Sequence, residues 1–342
     1  NQHISMDSRR LVKQTLSFES PSKIPRHLWL LPWAEKRYPD YVKKIRQLYP
    51  DDIAQAPAVY KNPLNLTGGK YQAGVFVDEW GCKFVNMEDG LMGIVHEPLI
   101  KEWSEMETFR TPDAALDIDK DAINRFCRAT DKFVYAGSIV RPLERFQFIR
   151  TMEQSMTDVL FEEPGFVELL NRMHTHFCKE VEAWAKTEVD AIFLMDDWGT
   201  QHAMMLSPDV FRKYFKPMYR DYCEIARHHG KYVFMHSDGN IAEILPELAE
   251  VGVNALNSQL FCMDLDRLSR EVAGKITFWG EIDRQYILPN GSEADIRNAV
   301  DLVYTKLYRN GGVIAQCEFG PAANPENILK VFQYWNRIID IK

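Results

Sequence analysis

The sequence predicts an α/β protein folded as a single (β/α)8 TIM barrel over 1–342, with an N-terminal extension and loop insertions at the C-terminal face of the barrel. Three observations support this prediction. Short apolar runs rich in Val, Ile and Phe alternate with segments of helical periodicity, eight such runs are present, and polar residues directly follow several of them. Because the C-terminal ends of barrel strands form the active face, we expect these polar residues to meet there.

Each strand candidate is a short apolar run, which is typical of a buried parallel strand. In chain order the candidates are 27–31, 74–81, 133–139, 190–197, 232–238, 253–259, 276–283 and 312–320. The segment 50–72 is rich in loop-forming residues and is predicted to be an insertion over the barrel mouth.

Four of the intervening segments place apolar residues at three- and four-residue steps, which predicts helices over 164–187, 209–230, 295–312 and 325–338. An open doubly wound sheet is the alternative architecture. No GxGxxG or GxxxxGK[ST] motif follows any strand candidate, so a nucleotide-binding sheet has no support.

Composition excludes several classes of function. The formal net charge of -8 argues against a nucleic-acid surface, and the longest apolar stretches are too short to span a membrane. The segment 1–8 is polar and lacks the apolar core of a secretion signal. The six cysteines are scattered with no CxxC spacing, which indicates a reducing compartment. We therefore expect a cytoplasmic protein.

A candidate metal site follows from three strand ends. His236 and Asp238 are two residues apart at the end of one run, so both can point to the same side, and Cys317 ends a later run. Imidazole, carboxylate and thiolate together form a credible three-ligand zinc site with one open position. The alternative is a hydrogen-bonded His–Asp pair and a buried cysteine. Glu281, at the end of an adjacent run, is a further candidate for a ligand or a general base.

Two similar motifs, DEWG at 78–81 and DDWG at 196–199, also follow apolar runs. Their carboxylates predict acid, base or orienting roles. Asp196 and Asp197 cannot both face the pocket; the candidate catalytic set is Glu79, Asp196 and Glu281. The tryptophans Trp80, Trp198 and Trp279 predict flat walls for a planar ligand. Alternatively, the aspartates cap the following helices and the tryptophans pack the loops.

Arg141 opens the segment RPLERFQFIRTMEQ at 141–154 and is a candidate for binding a substrate carboxylate or phosphate. The alternative for Arg141, Arg145 and Arg150 is surface ion pairing with Glu144 and Glu153.

Several motifs together resemble the uroporphyrinogen decarboxylase superfamily along nearly the whole chain. They include GSIVRPLERFQFIRTMEQ, MDDWGTQ, LSPDVFRKYFKPMY, HSDGNIAEILPEL, FWGEIDRQYILPNGS and CEFGPAANPENI, within 137–328. The resemblance implies a TIM barrel. The decarboxylases of this superfamily hold a porphyrinogen with arginines near the N-terminus, whereas this chain has LLPWAEKRYPDY there. That difference counts against uroporphyrinogen as the substrate.

The other branch of the superfamily contains methyltransferases that work with corrinoid (cobalamin-bound) proteins and bind zinc through His-x-Cys and a distant cysteine. By resemblance, His236 and Cys317 match two of these ligands, but Asp238 stands where the branch often has cysteine. Replacing a thiolate by a carboxylate makes zinc a stronger Lewis acid, which suits an ether oxygen better than a thiol.

The resulting hypothesis is a zinc-dependent methyltransferase that takes a methyl group from a methyl ether, such as a methoxylated aromatic, and passes it to cobalamin on a corrinoid protein. The alternatives are methyl transfer between methylcobalamin and a thiol, decarboxylation of a porphyrinogen-type substrate, and a binding protein without catalysis. The resemblance also allows a homodimer.

Overall fold

A computed structural model describes residues 7–340, with side chains through residue 338. Its strands include eight that form one parallel sheet curled into a barrel. In chain order the strands are β1 (Arg26–Leu30), β2 (Ile53–Gln55), β3 (Gly74–Val77), β4 (Lys83–Asn86), β5 (Ile94–Val95), β6 (Phe133–Tyr135), β7 (Ala191–Met195), β8 (Tyr232–Ser237), β9 (Ala255–Ser258), β10 (Thr277–Trp279) and β11 (Val313–Phe319).

Helices occupy each connection between consecutive barrel strands, and further helices precede β1 and follow β11, which confirms the (β/α)8 prediction. They are α1 (Ser8–Leu16), α2 (Pro32–Arg37), α3 (Pro39–Leu48), α4 (Lys120–Arg128), α5 (Pro142–Arg150), α6 (Met152–Leu160), α7 (Pro164–Ala185), α8 (Pro208–Val210), α9 (Lys216–His228), α10 (Leu245–Val251), α11 (Leu265–Glu271), α12 (Ile287–Asn290), α13 (Glu293–Leu307) and α14 (Pro325–Asp340). A π-helical turn, Phe211–Phe215, joins α8 to α9, and 3₁₀ turns span Trp103–Glu107, Asp113–Leu116 and Leu260–Cys262.

The barrel strands follow the order β1-β11-β10-β9-β8-β7-β6-β2, and side chains close the seam between β1 and β2. The N–H groups of Arg26 and Leu28 in β1 donate to the carboxylates of Asp52 and Asp51, at 2.8 Å each. The backbone N–H of Asp52 donates in turn to the carbonyl of Arg26 at 2.8 Å. These bonds satisfy β1 backbone donors where no strand ladder is present.

One predicted barrel strand is wrong. Residues 74–77 form β3, which pairs antiparallel with β4 in a separate three-stranded sheet, β3-β4-β5. The barrel position belongs instead to β2, inside the segment 50–72 that was predicted to be an insertion. β2 has only three residues, too few for a periodic signal, while Gly74–Val77 is a longer run of apolar residues.

The core has two layers, as both faces of a barrel strand are covered. Aromatic side chains fill the barrel, among them Phe133, Tyr135, Phe193, Phe234 and Trp279, and a larger cluster lies between the sheet and the helices. Helix α1 inserts Val12 and Leu16 into the inner cluster, so it closes the bottom of the barrel.

The single-domain prediction covered 1–342; residues 1–6 and 341–342, including most of the segment examined for a secretion signal, lie outside the described residues. Within the described part of the chain, no helix combines the length and the apolar character needed to cross a membrane.

Candidate active site

Three side chains meet at the C-terminal ends of β7 and β8: Asp197, His236 and Asp238. Met195 lies opposite His236 in the strand register, so the residues that follow the two strands are neighbours. Nε2 of His236 is 3.5 Å from an oxygen of Asp197 and 3.2 Å from an oxygen of Asp238. One imidazole nitrogen therefore faces two carboxylates at the mouth of the barrel, which is a donor set that can hold a divalent cation.

Two glycines let the loops that carry these residues touch. Gly239 has φ +83°, and a Cβ on it would lie 2.1 Å from the backbone of Gly199. The N–H of Gly199 donates to the carbonyl of Asp238 at 3.1 Å, and the N–H of Asp238 donates to the Asp197 carboxylate at 3.1 Å. The close approach of the two backbones thus places Asp197 beside Asp238.

Asn257 orients the imidazole. Its amide nitrogen donates to the carbonyl of Trp279 at 2.6 Å, so its oxygen faces Nδ1 of His236 at 2.7 Å and accepts a hydrogen bond from the N–H there. Nε2 is therefore directed at the two aspartates. A hydrogen bond of this kind on the far ring nitrogen is typical of metal-binding histidines.

The charges around His236 favour a cation at Nε2. Burial disfavours an imidazolium, but hydrogen bonds to Asp197 and Asp238 and their negative charges outweigh it and hold the pKa of His236 well above its usual value. Arg284 adds a second cation: it donates to Asp238 at 2.7 Å and to Glu318 at 2.6 Å. Burial opposes the shift, but the hydrogen bonds and charges of His236 and Arg284 lower the pKa of the Asp238 carboxyl group.

Cys317 does not join this group. It lies on the same face of β11 as Val313, Ala315 and Phe319, and all four side chains pack in the cluster between the sheet and the helices. The thiol is fully buried, and burial raises its pKa far above the usual value. The predicted ligand trio of His236, Asp238 and Cys317 is therefore not brought together, because Cys317 faces the outer layer; Asp197 takes its place.

Asp196 has a structural position rather than a catalytic one. Its carboxylate is completely buried and accepts the N–H groups of Leu143 and Glu144, at 3.1 and 2.8 Å, and the hydroxyl of Tyr219. It thus caps the N-terminus of α5. Asp196 therefore caps a helix, but α5 precedes it in the chain, whereas the capping alternative expected a following helix; Asp197 is the residue that faces the mouth.

Two of the predicted aromatic walls are core residues. Trp198 is fully buried, donates to the hydroxyl of Tyr219 at 2.8 Å and packs edge-on against Phe211 and Phe215. Trp279 lies inside the barrel, where its ring stacks on His27 and its Nε1 is 3.0 Å from that residue's Nδ1. Neither ring has surface to offer a substrate.

Glu79 and Trp80 follow β3, outside the barrel sheet. Trp80 is buried against His176 and Phe177 of α7, and the Arg145 guanidinium lies over its ring at 4.9 Å. Glu79 is partly exposed, and its carboxylate is 4.0 Å from Arg145. Trp80, which was predicted to form a flat wall for a ligand, is therefore another packing residue. Glu79 belongs to a group of ion-paired side chains beside α5.

Glu281 lies close enough to the group of Asp197, His236 and Asp238 for the charge of Asp238 to act on it. It lines a cleft of about 180 Å³ with Gln201, Gln259 and Cys262. Burial raises the pKa of its carboxyl group well above the usual value, although Arg284 opposes the shift. This carboxyl group therefore retains its proton more readily than an exposed glutamate.

Arg141, at the start of α5, is a buried cation without a carboxylate partner among residues 7–338. Its guanidinium is 3.5 Å from the sulfur of Met195, the strand neighbour of His236. Burial and the charge of Arg141 lower the pKa of Lys70 to about 8. Two cations that repel each other at the mouth can be neutralised by an anionic ligand.

The other two arginines of this segment are structural. Arg145 pairs with Asp78, and Arg150 forms a bidentate pair with Asp158 at 2.7 and 2.8 Å. Both are buried, so the expectation of surface ion pairs with Glu144 and Glu153 is wrong.

Sequence reasoning missed Trp29, Glu144 and Arg284 as site residues. The Trp29 ring is 5.4 Å from the His236 ring, and its buried indole N–H has no hydrogen-bond partner in the described structure. A Glu144 oxygen is likewise buried without a partner, and burial raises the pKa of this group to about 7. Trp29 could have been predicted from the sequence, because it lies two residues after His27 in the same strand and so shares its face. No local sequence feature identifies Arg284 as a site residue.

A family model with the description "Uroporphyrinogen decarboxylase (URO-D)" matches residues 74–338, which is most of the chain. The chain belongs to the uroporphyrinogen decarboxylase family. The match confirms the family resemblance and contains β6–β11, and with them Asp197, His236 and Asp238. No curated protein sequence matches the chain significantly.

A solved structure shows the same fold over nearly the whole chain. A methyltransferase from Methanosarcina mazei aligns with 98% of this chain and 99% of its own, at 13% identity and a TM-score of 0.69. A xylanase from Paenibacillus barcinonensis covers 89% of this chain and 86% of its own at 11% identity, but its TM-score is 0.40. The first of these shows that the barrel fold extends over nearly the whole chain of this member of the uroporphyrinogen decarboxylase family.

Proposed function

We propose that this protein is a zinc-dependent methyltransferase that removes the methyl group of a methyl ether, in particular a methoxylated aromatic, and transfers it to cobalamin on a corrinoid protein. The observation that carries the proposal is the group of Asp197, His236 and Asp238 at the mouth of a barrel with a methyltransferase-type fold. The comparisons supply only the fold and the family. The methyl-ether donor is inferred from the oxygen and nitrogen donors of the site, and the corrinoid acceptor from the resemblance to the corrinoid-dependent branch of the superfamily.

The residues present fit a zinc ion. Their ligand atoms all lie within 4.8 Å of one another, the set offers one nitrogen and two oxygens, and Asn257 fixes the imidazole from behind. Bound there, Zn²⁺ would supply Lewis acidity toward an ether oxygen. Asp197, His236 and Asp238 would hold it, with Asp238 shared with Arg284.

Other residues of the mouth can bind and position the substrate. The half-buried Trp29 ring next to His236 offers an apolar surface for an arene. Arg141 and Lys70 suit a substrate carboxylate. Glu144 and Glu281 both have raised pKa values, so either can give a proton to the phenolate oxygen, which keeps the electron pair as the C–O bond breaks.

The donor set favours an ether over a thiol. No cysteine is among the three facing groups, whereas activation of a thiol by zinc is best matched by thiolate ligands. Decarboxylation of a porphyrinogen is also disfavoured, because this chain has LLPWAEKRYPDY where the resemblance implies the arginines that hold such a polyanionic substrate. The homodimer remains a prediction.

The test is methyl transfer in solution. Zinc-loaded protein is mixed with chemically reduced cob(I)alamin and 4-methoxybenzoate, and methylcobalamin is followed by absorbance. We expect Asp197→Ala to lower the rate of methylcobalamin formation at least about 100-fold, because one zinc ligand is removed. The exposed Asp301→Ala serves as the control.

The same assay tests substrate binding. Arg141→Met should raise KM for 4-methoxybenzoate about tenfold and leave neutral methoxybenzene unaffected, since only the former needs a cation. Absence of methylcobalamin with every methoxyarene in a panel, in protein of measured zinc content, would overturn the proposal.

A further inference from the structure

A second group of metal-binding side chains lies on the outside of the barrel, between helices α7 and α9. His174 and Cys178 are one turn apart on α7, and Asp221 faces them from α9. Nε2 of His174 is 2.7 Å from the Asp221 carboxylate and 3.5 Å from the sulfur of Cys178. This group shares no residue with the barrel mouth.

The spacing of these atoms matches a tetrahedral zinc site. Zinc bonds of about 2.0 Å to nitrogen and about 2.3 Å to sulfur place the two ligand atoms roughly 3.5 Å apart at a tetrahedral angle. The sulfur and Nε2 already stand at that separation. The carboxylate oxygen is closer to Nε2 than zinc would require, but the Asp221 side chain is 51% exposed and free to rotate outward.

The surroundings of His174 support the same interpretation. Its Nδ1 lies 3.0 Å from the hydroxyl of the buried Tyr222, which can hold the ring with Nε2 directed at Cys178 and Asp221. A metal-binding histidine usually has such a partner on its other nitrogen. A surface groove of about 250 Å³ borders His174 and Asp221, so solvent or a fourth ligand can reach the site.

We propose that His174, Cys178 and Asp221 bind a divalent cation of the zinc class, with water in the fourth position. The thiol of Cys178 releases its proton to solvent as the metal–sulfur bond forms, and no electrons are transferred. Because the ligands come from two different helices, the bound ion ties α7 to α9 and stabilises the helical layer. The site is independent of the proposed methyltransferase chemistry.

Cobalt(II) is the probe that separates this site from the mouth. A thiolate bound to Co²⁺ gives a strong charge-transfer absorption, whereas the group of Asp197, His236 and Asp238 contains no sulfur. Titration of the full chain with Co²⁺ should develop this band to one equivalent per chain. The band should vanish in Cys178→Ser and persist in Cys262→Ser, a matched variant of another half-buried cysteine.

Thermal unfolding supplies a second readout. Added Zn²⁺ should raise Tm in the Asp197→Ala protein, where the mouth is disabled, and this increase should be lost when Asp221→Ala is combined with it. Absence of the charge-transfer band in the wild-type chain, or its survival in Cys178→Ser, would overturn the proposal. Either result leaves the methyl-transfer assay unaffected, so the two proposals fail separately.

Discussion

At the residue scale, the direction of single side chains decides the chemistry of the mouth. Asp196 and Asp197 are adjacent, yet one caps helix α5 in the core and the other faces His236. The adjacent residues Cys317 and Glu318 also point in opposite directions: the thiol packs in the outer layer, and the carboxylate binds Arg284. The site thus has oxygen and nitrogen donors where sulfur was expected.

Removal of Cys317 tests this assignment. Because its thiol lies in the outer layer, Cys317→Ala should leave the zinc bound at the mouth in place and cost only about 1 kcal/mol of unfolding free energy, as expected for a small buried side chain. Asp197→Ala should instead lose one zinc per chain. Elemental analysis and urea unfolding measure both; loss of mouth zinc from Cys317→Ala would restore the cysteine as a ligand.

A buried glutamate of α7 predicts a dependence of stability on pH. Burial and the neighbouring Glu79 raise the pKa of Glu180 to about 8. The folded state therefore holds a proton that the unfolded state releases near the usual value of 4.5, and stability falls as pH rises from about 4.5 to about 8. Glu180→Gln should remove this pH-dependent loss of stability, because glutamine does not ionise.

The comparison is made by urea unfolding at several pH values. Glu180→Gln should gain stability relative to the wild type as pH increases, by roughly 2–4 kcal/mol at pH 8.5 and little near pH 4.5. The exposed Glu168→Gln on the same helix is the control and should show no such trend. A constant difference across this pH range would contradict the assignment.

At the scale of elements, the site depends on two loops that touch through glycine. The loops after β7 and β8 carry Asp197 and Asp238, and their backbones meet at Gly199 and Gly239. No side chain fits between them. The strands set the direction of His236, but this contact sets the distance between the two carboxylates.

Gly239→Ala should therefore separate the loops. The new Cβ would meet the Gly199 backbone at 2.1 Å and the residue would keep φ near +83°, so we expect a loss of about 3 kcal/mol or more and a weaker affinity for zinc. Gly230→Ala is the matched control, because it has φ +70° with open space around it and should cost only about 1 kcal/mol. Equal effects of the two variants in thermal unfolding would show that the contact is unimportant.

At the scale of the whole molecule, the barrel is closed by carboxylates as well as by strand pairing. Asp52 accepts the N–H of Arg26 at 2.8 Å and the hydroxyl of Ser8 at 2.6 Å, so it links β1, β2 and the helix that covers the bottom of the barrel. The Asp51 carboxylate accepts a hydrogen bond from the N–H of Leu28. The two ends of the sheet thus depend on a few buried polar contacts.

Asp52→Ala should open this seam. It leaves the Arg26 N–H and the Ser8 hydroxyl without their acceptor, so we expect a loss of about 2 kcal/mol and faster hydrogen exchange at Arg26 than at amides of β8. Asp52→Asn keeps one acceptor oxygen and should lose about half as much. Uniform exchange across the barrel in Asp52→Ala would contradict a local opening.

The sequence by itself determined the barrel, most of its strands and long helices, and the family, because these follow from local hydrophobic periodicity and from motifs that are contiguous in the chain. It also placed His236 and Asp238 at the mouth. Tertiary structure alone decided that β2 rather than residues 74–77 completes the barrel, that Asp197 replaces Cys317, and that Arg284 and Trp29 reach the site. The physical reason is that both faces of a barrel strand are buried. In β11, Gln316 and Glu318 alternate with Cys317 and so mark two faces, but only the packing of the sheet decides which of these faces reaches the mouth.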